Sequence, residues 1–351
     1  MKMHLVSGGC GFVGRNMVKR LLKTTSDRIF VVDDLSIGLH PEKWLPGFSS
    51  KKNEDLEIFG DDERLLFWKG DFRDFLFYLR ENPRFLQEKY QLEFDAFSDV
   101  YHFAAIVGGR SKIEGDPMMV ALDLSIDAEF FYWVTRHKPA RVLYPSSSAA
   151  YPVSLQTDEG AVSLKEGDID FKGNLGTPDM TYGWSKLTGE FLAQIAAHHY
   201  GISVACIRPF SGYGEDQDLS YPIPAIAARA ARHEDPFEVW GTGKQGRDFV
   251  HIEDVLDFIQ MLMDNVSDGS AYNIGSGRLL SFIEIIEVFS KIAGYKPQIK
   301  QLLDKPVGVH SRYANMEIVT EKFGWKPKIS VEEGMRRVYE AAVERIKSQK
   351  D

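Results

Sequence analysis

The sequence predicts an α/β fold, a doubly wound parallel sheet with helices on both faces, followed by a smaller, mixed α/β region. Three observations carry this. Strand-like apolar runs alternate with helical patterns from Met3 to Pro209. A glycine turn spaced G-x-x-G-x-x-G, at Gly8, Gly11 and Gly14, joins the first strand to the first helix. After Pro209 the pattern breaks into short, glycine-rich pieces such as "GYGEDQ", "GTGKQGRD" and "IGSGRLL".

The elements can be taken in chain order. "MHLVSG" reads as a buried first strand, and "GRNMVKRLLKT" puts Met17, Val18, Leu21 and Leu22 at helical spacing. "RIFVVDD", "LLFWKGD" and "SDVYHFAA" read as strands two to four. "PMMVALDLSIDAEFFYWVTRH" predicts a long helix at about 118–137. "ARVLYPSSS" is a fifth strand, then a loop leads to a second long helix at about 180–200, and "GISVACIRP" is a sixth strand. The stretch 34–66 is long and polar for a connection between strands, which predicts a surface insertion or a lid. Residues 1–208 and 209–351 are expected to be two regions that interleave around a cleft, because no flexible linker parts them.

At 351 residues the chain has room for one large α/β domain and a smaller companion. A net charge of −9 argues against nonspecific nucleic-acid binding. The two cysteines, Cys10 and Cys206, form no C-x-x-C pair, so neither a disulfide framework nor a zinc site is expected. That usage fits a reducing cytosol, and a cytoplasmic protein is expected. "MKMHLVSGG" runs straight into a strand, which leaves no room for a signal peptide. No run of about 18 apolar residues predicts a membrane span. No grouping of His, Cys, Asp and Glu in the sequence has metal-ligand spacing, so no metal is expected.

The glycine turn is the strongest chemical signal. In "GGCGFVG", Gly8, Gly11, Phe12, Val13 and Gly14 would let the backbone approach a pyrophosphate, whose charge the following helix N-terminus attracts. Asp33 lies about twenty residues on, at the end of the second strand, placed to accept hydrogen bonds from ribose hydroxyls. Its charge, with that of Asp34, repels a 2′-phosphate, so NAD is expected rather than NADP. Asp71 and Phe72 follow the third strand and are expected near the adenine, while Ala104 and Ala105 after the fourth leave room for the coenzyme.

These segments, together with "PSSSAAY", "TYGWSKLTGE", "GTGKQGRDFVHIEDV" and "FGWKPKISVEEGMRR", resemble the extended short-chain dehydrogenase/reductase family. Within it they are similar to the nucleotide-sugar epimerase/dehydratase group. The resemblance runs over nearly the whole chain. It implies a Rossmann domain holding NAD, a C-terminal nucleotide-sugar domain, and a homodimer built from the helices at about 118–137 and 180–200. It places Tyr182 and Lys186 on the family's catalytic pair and Ser147 on its Ser/Thr. The chemistry is intelligible from the residues. A free tyrosine, with a pKa of about 10, is too weak a base at neutral pH, and lowering it by about three units takes about 4 kcal/mol. A lysine four residues on shares its helix face and, with the positive nicotinamide nearby, favours phenolate, and the serine can bond the same sugar oxygen.

The resemblance also matches Arg247 to a diphosphate contact, and Arg312 is a candidate second one, although Asn315 stands where the family has an aspartate. Gly108, Gly109 and Arg110, with Ser148, are expected to shape the sugar pocket. Phe210, Tyr213 and Trp240 are candidates to stack there. A family asparagine that touches the coenzyme falls by spacing on Leu124. His102 is expected to be a strand residue without catalysis, and His251 to anchor the loop of Arg247.

The choice of reaction rests on the two residues after Ser147. In the 4,6-dehydratases of the group those positions carry Asp and Glu; here they are Ser148 and Ala149. The glutamate of the decarboxylases and the cysteine of the 3,5-epimerases are likewise missing at Ala149, and Tyr221 and Pro222 stand where a partner base would fall. The remaining chemistry is C4 epimerisation of a UDP-, dTDP-, GDP- or CDP-hexose through a 4-keto sugar. A net C4 dehydrogenase or 4-ketoreductase uses the same residues. "AAIVGGR" resembles the loop of the GDP-sugar 3,5-epimerase/reductase enzymes. A non-catalytic NAD-binding regulator is the reading of a different class, and the intact Ser/Tyr/Lys set counts against it.

Overall fold

The structure, a computed structural model, describes residues 2–93, 95–106, 110–158 and 160–348, with the backbone alone at 110–112. In chain order the strands are β1 (Met3–Ser7), β2 (Arg28–Asp33), β3 (Ser50–Asn53), β4 (Leu56–Phe59), β5 (Leu65–Lys69), β6 (Asp99–His102), β7 (Arg141–Pro145) and β8 (Val204–Pro209). Then come β9 (Ser211–Tyr213), β10 (Phe237–Trp240), β11 (Gly246–Arg247), β12 (Phe249–His251), β13 (Asp268–Ile274), β14 (Leu280–Ser281), β15 (Ile299–Leu302) and β16 (Ser311–Arg312). The first six helices are α1 (Phe12–Thr24), α2 (Phe72–Glu81), α3 (Phe85–Tyr90), α4 (Arg110–Gly115), α5 (Met119–His137) and α6 (Met180–Tyr200). The rest are α7 (Pro222–Ala231), α8 (Ile252–Asn265), α9 (Phe282–Ala293), α10 (Glu317–Phe323) and α11 (Val331–Ser348).

The expected doubly wound sheet is present, with strand order β13-β8-β7-β6-β1-β2-β5-β4-β3. Every pair from β13 to β5 is parallel. Alternate side chains enter two cores. Val6, Ile29, Val31 and Phe67 face α1 and α8, with Met17, Val18, Phe258 and Leu262. Leu5, Phe30, Val32 and Trp68 face α2, α5 and α6, with Phe75, Phe130, Trp133 and Ala193. Burial on both faces explains why these strands read as continuous apolar runs. The chain builds outward from β1 to β2 and β5, then returns to β6 on the other side. This reversal leaves a crevice beyond the carboxyl ends of β1 and β6, where ligands bind in such sheets.

Two features were hidden in the sequence. The 34–66 stretch ends in a hairpin, in which β4 pairs antiparallel with β5 and β3 forms the sheet edge. All four residues of β3, "SKKN", are exposed, so it carries no apolar pattern, and Lys51 and Lys52 guard a free edge. The chain also returns to the large sheet after Pro209, since β13 pairs with β8. A third core gathers Ile223, Phe237, Phe289 and Met335 between α7, α9 and α11. Among the described residues no helix is long and apolar enough to cross a membrane.

Candidate active site

A cavity of about 930 Å³ opens along the carboxyl ends of β1, β2 and β6, lined by Gly8, Gly11, Phe12, Asp33, Asp34, Asp71, Phe72, Ala104 and Ala105. Its floor is shaped by backbone contact. Gly8 has a φ of 63°, and a Cβ there would lie 2.6 Å from the Ala104 nitrogen. A Cβ on Gly14 would lie 2.2 Å from the Gly8 carbonyl oxygen, so Gly14 packs the helix on the turn. At Gly11 a Cβ would have only that oxygen within 4 Å, at 3.3 Å, and the side left open faces the cavity. Asp33 is buried; its carboxylate accepts from the Cys10 amide at 2.9 Å and the Leu35 amide at 2.8 Å. Burial is the main cause that holds this carboxyl above the usual carboxylate range, and Asp34 adds to it. The bared backbone and the acidic wall suit a dinucleotide with free ribose hydroxyls.

Two expected contacts differ in detail. Val13 packs against the core and does not line the cavity, because its place on α1 turns it toward the sheet. Asp71 lines the cavity but caps α2 and pairs with Arg73 at 2.5 Å, and that guanidinium draws its carboxyl below the usual range.

The proton-transfer residues sit at the seam. Ser147 accepts from the Ala149 amide at 3.1 Å and caps the turn Ser148–Ala150. The start of α6 lies against this turn, where the Asp179 amide donates to the Ala149 carbonyl at 2.9 Å. Glycines make the approach possible, since a Cβ on Gly183 would lie 2.3 Å from the Ala149 oxygen and one on Gly189 would collide with the Tyr144 hydroxyl. Tyr182 lines a second cavity, described below, while Lys186 is buried beneath its ring with Nζ 5.6 Å from the Tyr182 ring centroid.

The electrostatics add two carboxylates to the expected pair. Loss of water pushes the Tyr182 hydroxyl up to about 12; Lys186 opposes this, but Asp123 and Asp127 reinforce it. Lys186 Nζ lies 3.8 Å from a carboxylate oxygen of each aspartate. The lysine therefore serves two anions as well as the phenol.

A second cavity, of about 610 Å³, is lined by Ser147, Ala149, Tyr182, Phe210, Trp240, Arg247 and Arg312. Gln217 and Tyr221 line both cavities, so the two meet there. Arg247 donates to its neighbour's carbonyl, Gly246 O, at 2.7 Å. Arg312 is held by Gln156 and Asp179, each at 2.5 Å, which ties β16 to the start of the Tyr182 helix. Ser148 is buried in its turn and does not line the cavity, contrary to expectation. Tyr213 is core, whereas Phe210 and the half-exposed Trp240 face the cavity. Gly108, Gly109 and the side chain of Arg110 lie outside the described residues.

Sequence reasoning missed Asp123 and Asp127. The spacing argument pointed to Leu124, but it is Asp123 that accepts from the Ile106 amide, at 2.8 Å, beside Lys186. The signal was two acidic residues four apart, on one face of a helix whose first ten residues are otherwise mostly apolar. His102 bonds Ser7 Oγ at 2.7 Å and Asp127 at 3.1 Å. His251 caps α8 and meets Glu215 at 3.2 Å. The fold also gathers His40, Glu42 and Glu57 within 4.8 Å, a grouping that sequence spacing concealed; Lys52 pairs with Glu57 there at 3.0 Å.

The model of the NAD dependent epimerase/dehydratase family matches residues 4–275. A putative UDP-glucose 4-epimerase of Methanocaldococcus jannaschii is 26% identical over 344 residues, 96% of this chain and 97% of that protein. A GDP-L-fucose synthase of Sinorhizobium fredii is 28% identical over 254 residues, 69% of this chain and 78% of that protein. The crystal structure of a UDP-glucose 4-epimerase from Thermotoga maritima with UDP-glucose matches over 100% of both chains, with a TM-score of 0.76 at 22% identity. That likeness extends the fold to the whole length.

Proposed function

Because the chain belongs to the NAD dependent epimerase/dehydratase family, we propose that it interconverts the C4 epimers of a nucleoside-diphosphate hexose. Its enzyme class and its use of NAD follow from the family. The C4 chemistry rests on one observation. Beside Tyr182 and Ser147 the cavity wall is the methyl group of Ala149. Loss of water from a sugar needs an acid for the departing hydroxyl and a base for the neighbouring proton, and alanine is neither.

NAD supplies a place for the hydride to rest and return. Tyr182 takes the proton of the C4 hydroxyl and gives it back, and Ser147 bonds the same oxygen and steadies it. Lys186 beneath the ring stabilises the phenolate. Arg247 and Arg312 hold the diphosphate from the far wall, where a planar guanidinium suits paired oxygens. With NAD bound, a keto sugar that turned in the cavity would take the hydride back on its other face, and no further base is called for.

In this reading residues 1–208 carry the coenzyme and the proton-transfer pair, and 209–351 hold the nucleotide. Exposed Tyr132 on α5, with Trp184 and Phe191 on α6, favours a homodimer through these helices. Light scattering of the purified chain checks the dimer. For the reaction, the protein is incubated with UDP-, dTDP-, GDP- and CDP-hexoses and the products are resolved by NMR. A C4 epimer is expected. Net oxidation or reduction without one would place the chain among dehydrogenases or ketoreductases and reject the proposal.

A further inference from the structure

We propose that Asp123 and Asp127 are positioning residues for the proton-transfer pair: their two carboxylates fix Lys186 beneath Tyr182, and Asp123 ties that pair to the coenzyme-facing loop of Ala104–Ile106. The inference rests on the reading of Tyr182 and Lys186 as that pair.

The geometry is symmetrical about the ammonium. Lys186 Nζ is 3.8 Å from Asp123 Oδ2 and 3.8 Å from Asp127 Oδ2, and all three side chains are buried. Each aspartate is held from behind. Asp123 Oδ1 accepts from the Ile106 amide at 2.8 Å, and its Oδ2 accepts from the Ser185 hydroxyl. Asp127 Oδ2 accepts from the Tyr144 hydroxyl at 2.6 Å, and its Oδ1 meets His102 Nε2 at 3.1 Å. His102 is braced in turn by Ser7 Oγ at 2.7 Å and by the Phe130 ring at 3.9 Å between centroids. The chain of contacts runs from the end of β1, beneath the glycine turn, to the lysine.

An asparagine at 123 or 127 keeps both contacts without the charge: its oxygen accepts from the Ile106 amide or the Tyr144 hydroxyl, and its amide donates to the Ser185 hydroxyl oxygen, or to His102 Nε2 in the tautomer whose proton is on Nδ1. The charge acts on Lys186. Among the described residues, two carboxylates against one ammonium leave one net negative charge beside Tyr182. A phenol so placed keeps its proton when no other cation is near, and releases it more readily with a cationic coenzyme ring alongside. Tyr182 is thus biased to give the proton back when the ring is neutral, which a reversible transfer requires. The other titratable groups facing Tyr182 and Lys186 are His102 from β6, Tyr144 from β7 and Tyr221 from the loop before α7. Helix α4 packs on α6 as well and carries Glu114, while the side chains of Arg110 and Lys112 lie outside the described residues.

The test follows Tyr182 directly. The chain is labelled with 13C at tyrosine Cζ, and the Tyr182 resonance is the one lost in Tyr182→Phe. Asp123→Asn keeps the bond to Ile106 and removes the charge. Its Tyr182 resonance is expected to start titrating about one pH unit below wild type, which is about tenfold more phenolate at a fixed pH. Asp127→Asn is expected to do the same. A resonance that titrates with wild type in the folded variants, even with a lowered melting temperature, makes the aspartates merely structural and overturns the proposal. If neither variant folds, the wild-type resonance decides, because titration at or below the ordinary value of about 10 overturns it. A shifted titration in a chain that makes no C4 epimer upholds the positioning role and rejects the reaction.

Discussion

The two cavities that meet at Gln217 and Tyr221 are built by different means. The coenzyme crevice is made of backbone: glycines bring the turn within van der Waals reach of the Phe103–Ala104 backbone, and Asp33 is set by amides of its own turn and of Cys10. The substrate cavity is made of side chains held by distant partners, such as Arg312 on Asp179 and Gln156. A backbone-built site cannot lose function without losing packing. A side-chain-built site can.

The largest effect tests the second half of that contrast. Tyr182→Phe removes one hydroxyl from the cavity wall, so turnover should fall by about 10²- to 10⁴-fold. Melting temperature and NAD affinity should stay at wild type, as read by thermal unfolding and calorimetry. Loss of both would mean that the hydroxyl supports the fold. Gly14→Ala tests the first half. Its Cβ would meet the Gly8 carbonyl at 2.2 Å, and backbone cannot swing aside. A cost of about 1–3 kcal/mol is expected. Stability and NAD affinity should drop together in the same variant. An intact melting temperature with lost affinity would break the comparison.

The same contrast explains what was legible in the sequence. The glycine turn, Asp33 and the six expected strands are written in local spacing, and their environments are made within a few residues or by the next strand. Tyr182, Lys186 and Ser147 were legible as types and order, and the fold brings their segments together. The charge around them was not. Asp127 reaches Lys186 from another helix, and the loss of water and two buried carboxylates that hold the phenol up were not counted beside the lysine and the positive nicotinamide. Ser148 looked like a pocket residue because it follows Ser147, but the tight turn that Ser147 caps points it inward. The β3–β4 hairpin escaped because an exposed edge strand has no buried face to give it a pattern.

A smaller effect concerns pH. Burial holds the Asp33 carboxyl above the usual range, so it takes up a proton earlier than a free aspartate as pH falls. Once neutral it is a weaker partner for ribose hydroxyls, because charge-assisted bonds are about twice as strong as neutral ones. NAD affinity should therefore be full at neutral pH and weaken, by about tenfold, on acidification through the raised Asp33 value. Asp33→Asn should bind NAD weakly at every pH in that window. An equal pH dependence in that variant would place the titrating group elsewhere.

The smallest effect lies where the two kinds of construction touch. Asp179 caps nothing by its side chain; it holds Arg312 at 2.5 Å, three residues before Tyr182. A diphosphate that draws on Arg312 must compete with this carboxylate. Asp179→Asn weakens the competitor, so KM for the nucleotide sugar should fall a few-fold; the pair is largely buried, and the asparagine oxygen still accepts from Arg312. Turnover should fall as well, because the variant loosens the link between β16 and the start of α6. Arg312→Lys should move KM the other way, since an ammonium cannot span two oxygens as a guanidinium does. If both substitutions raise KM alike, Asp179 supports the diphosphate site rather than competing with it, and Arg312 belongs to the scaffold of the Tyr182 helix.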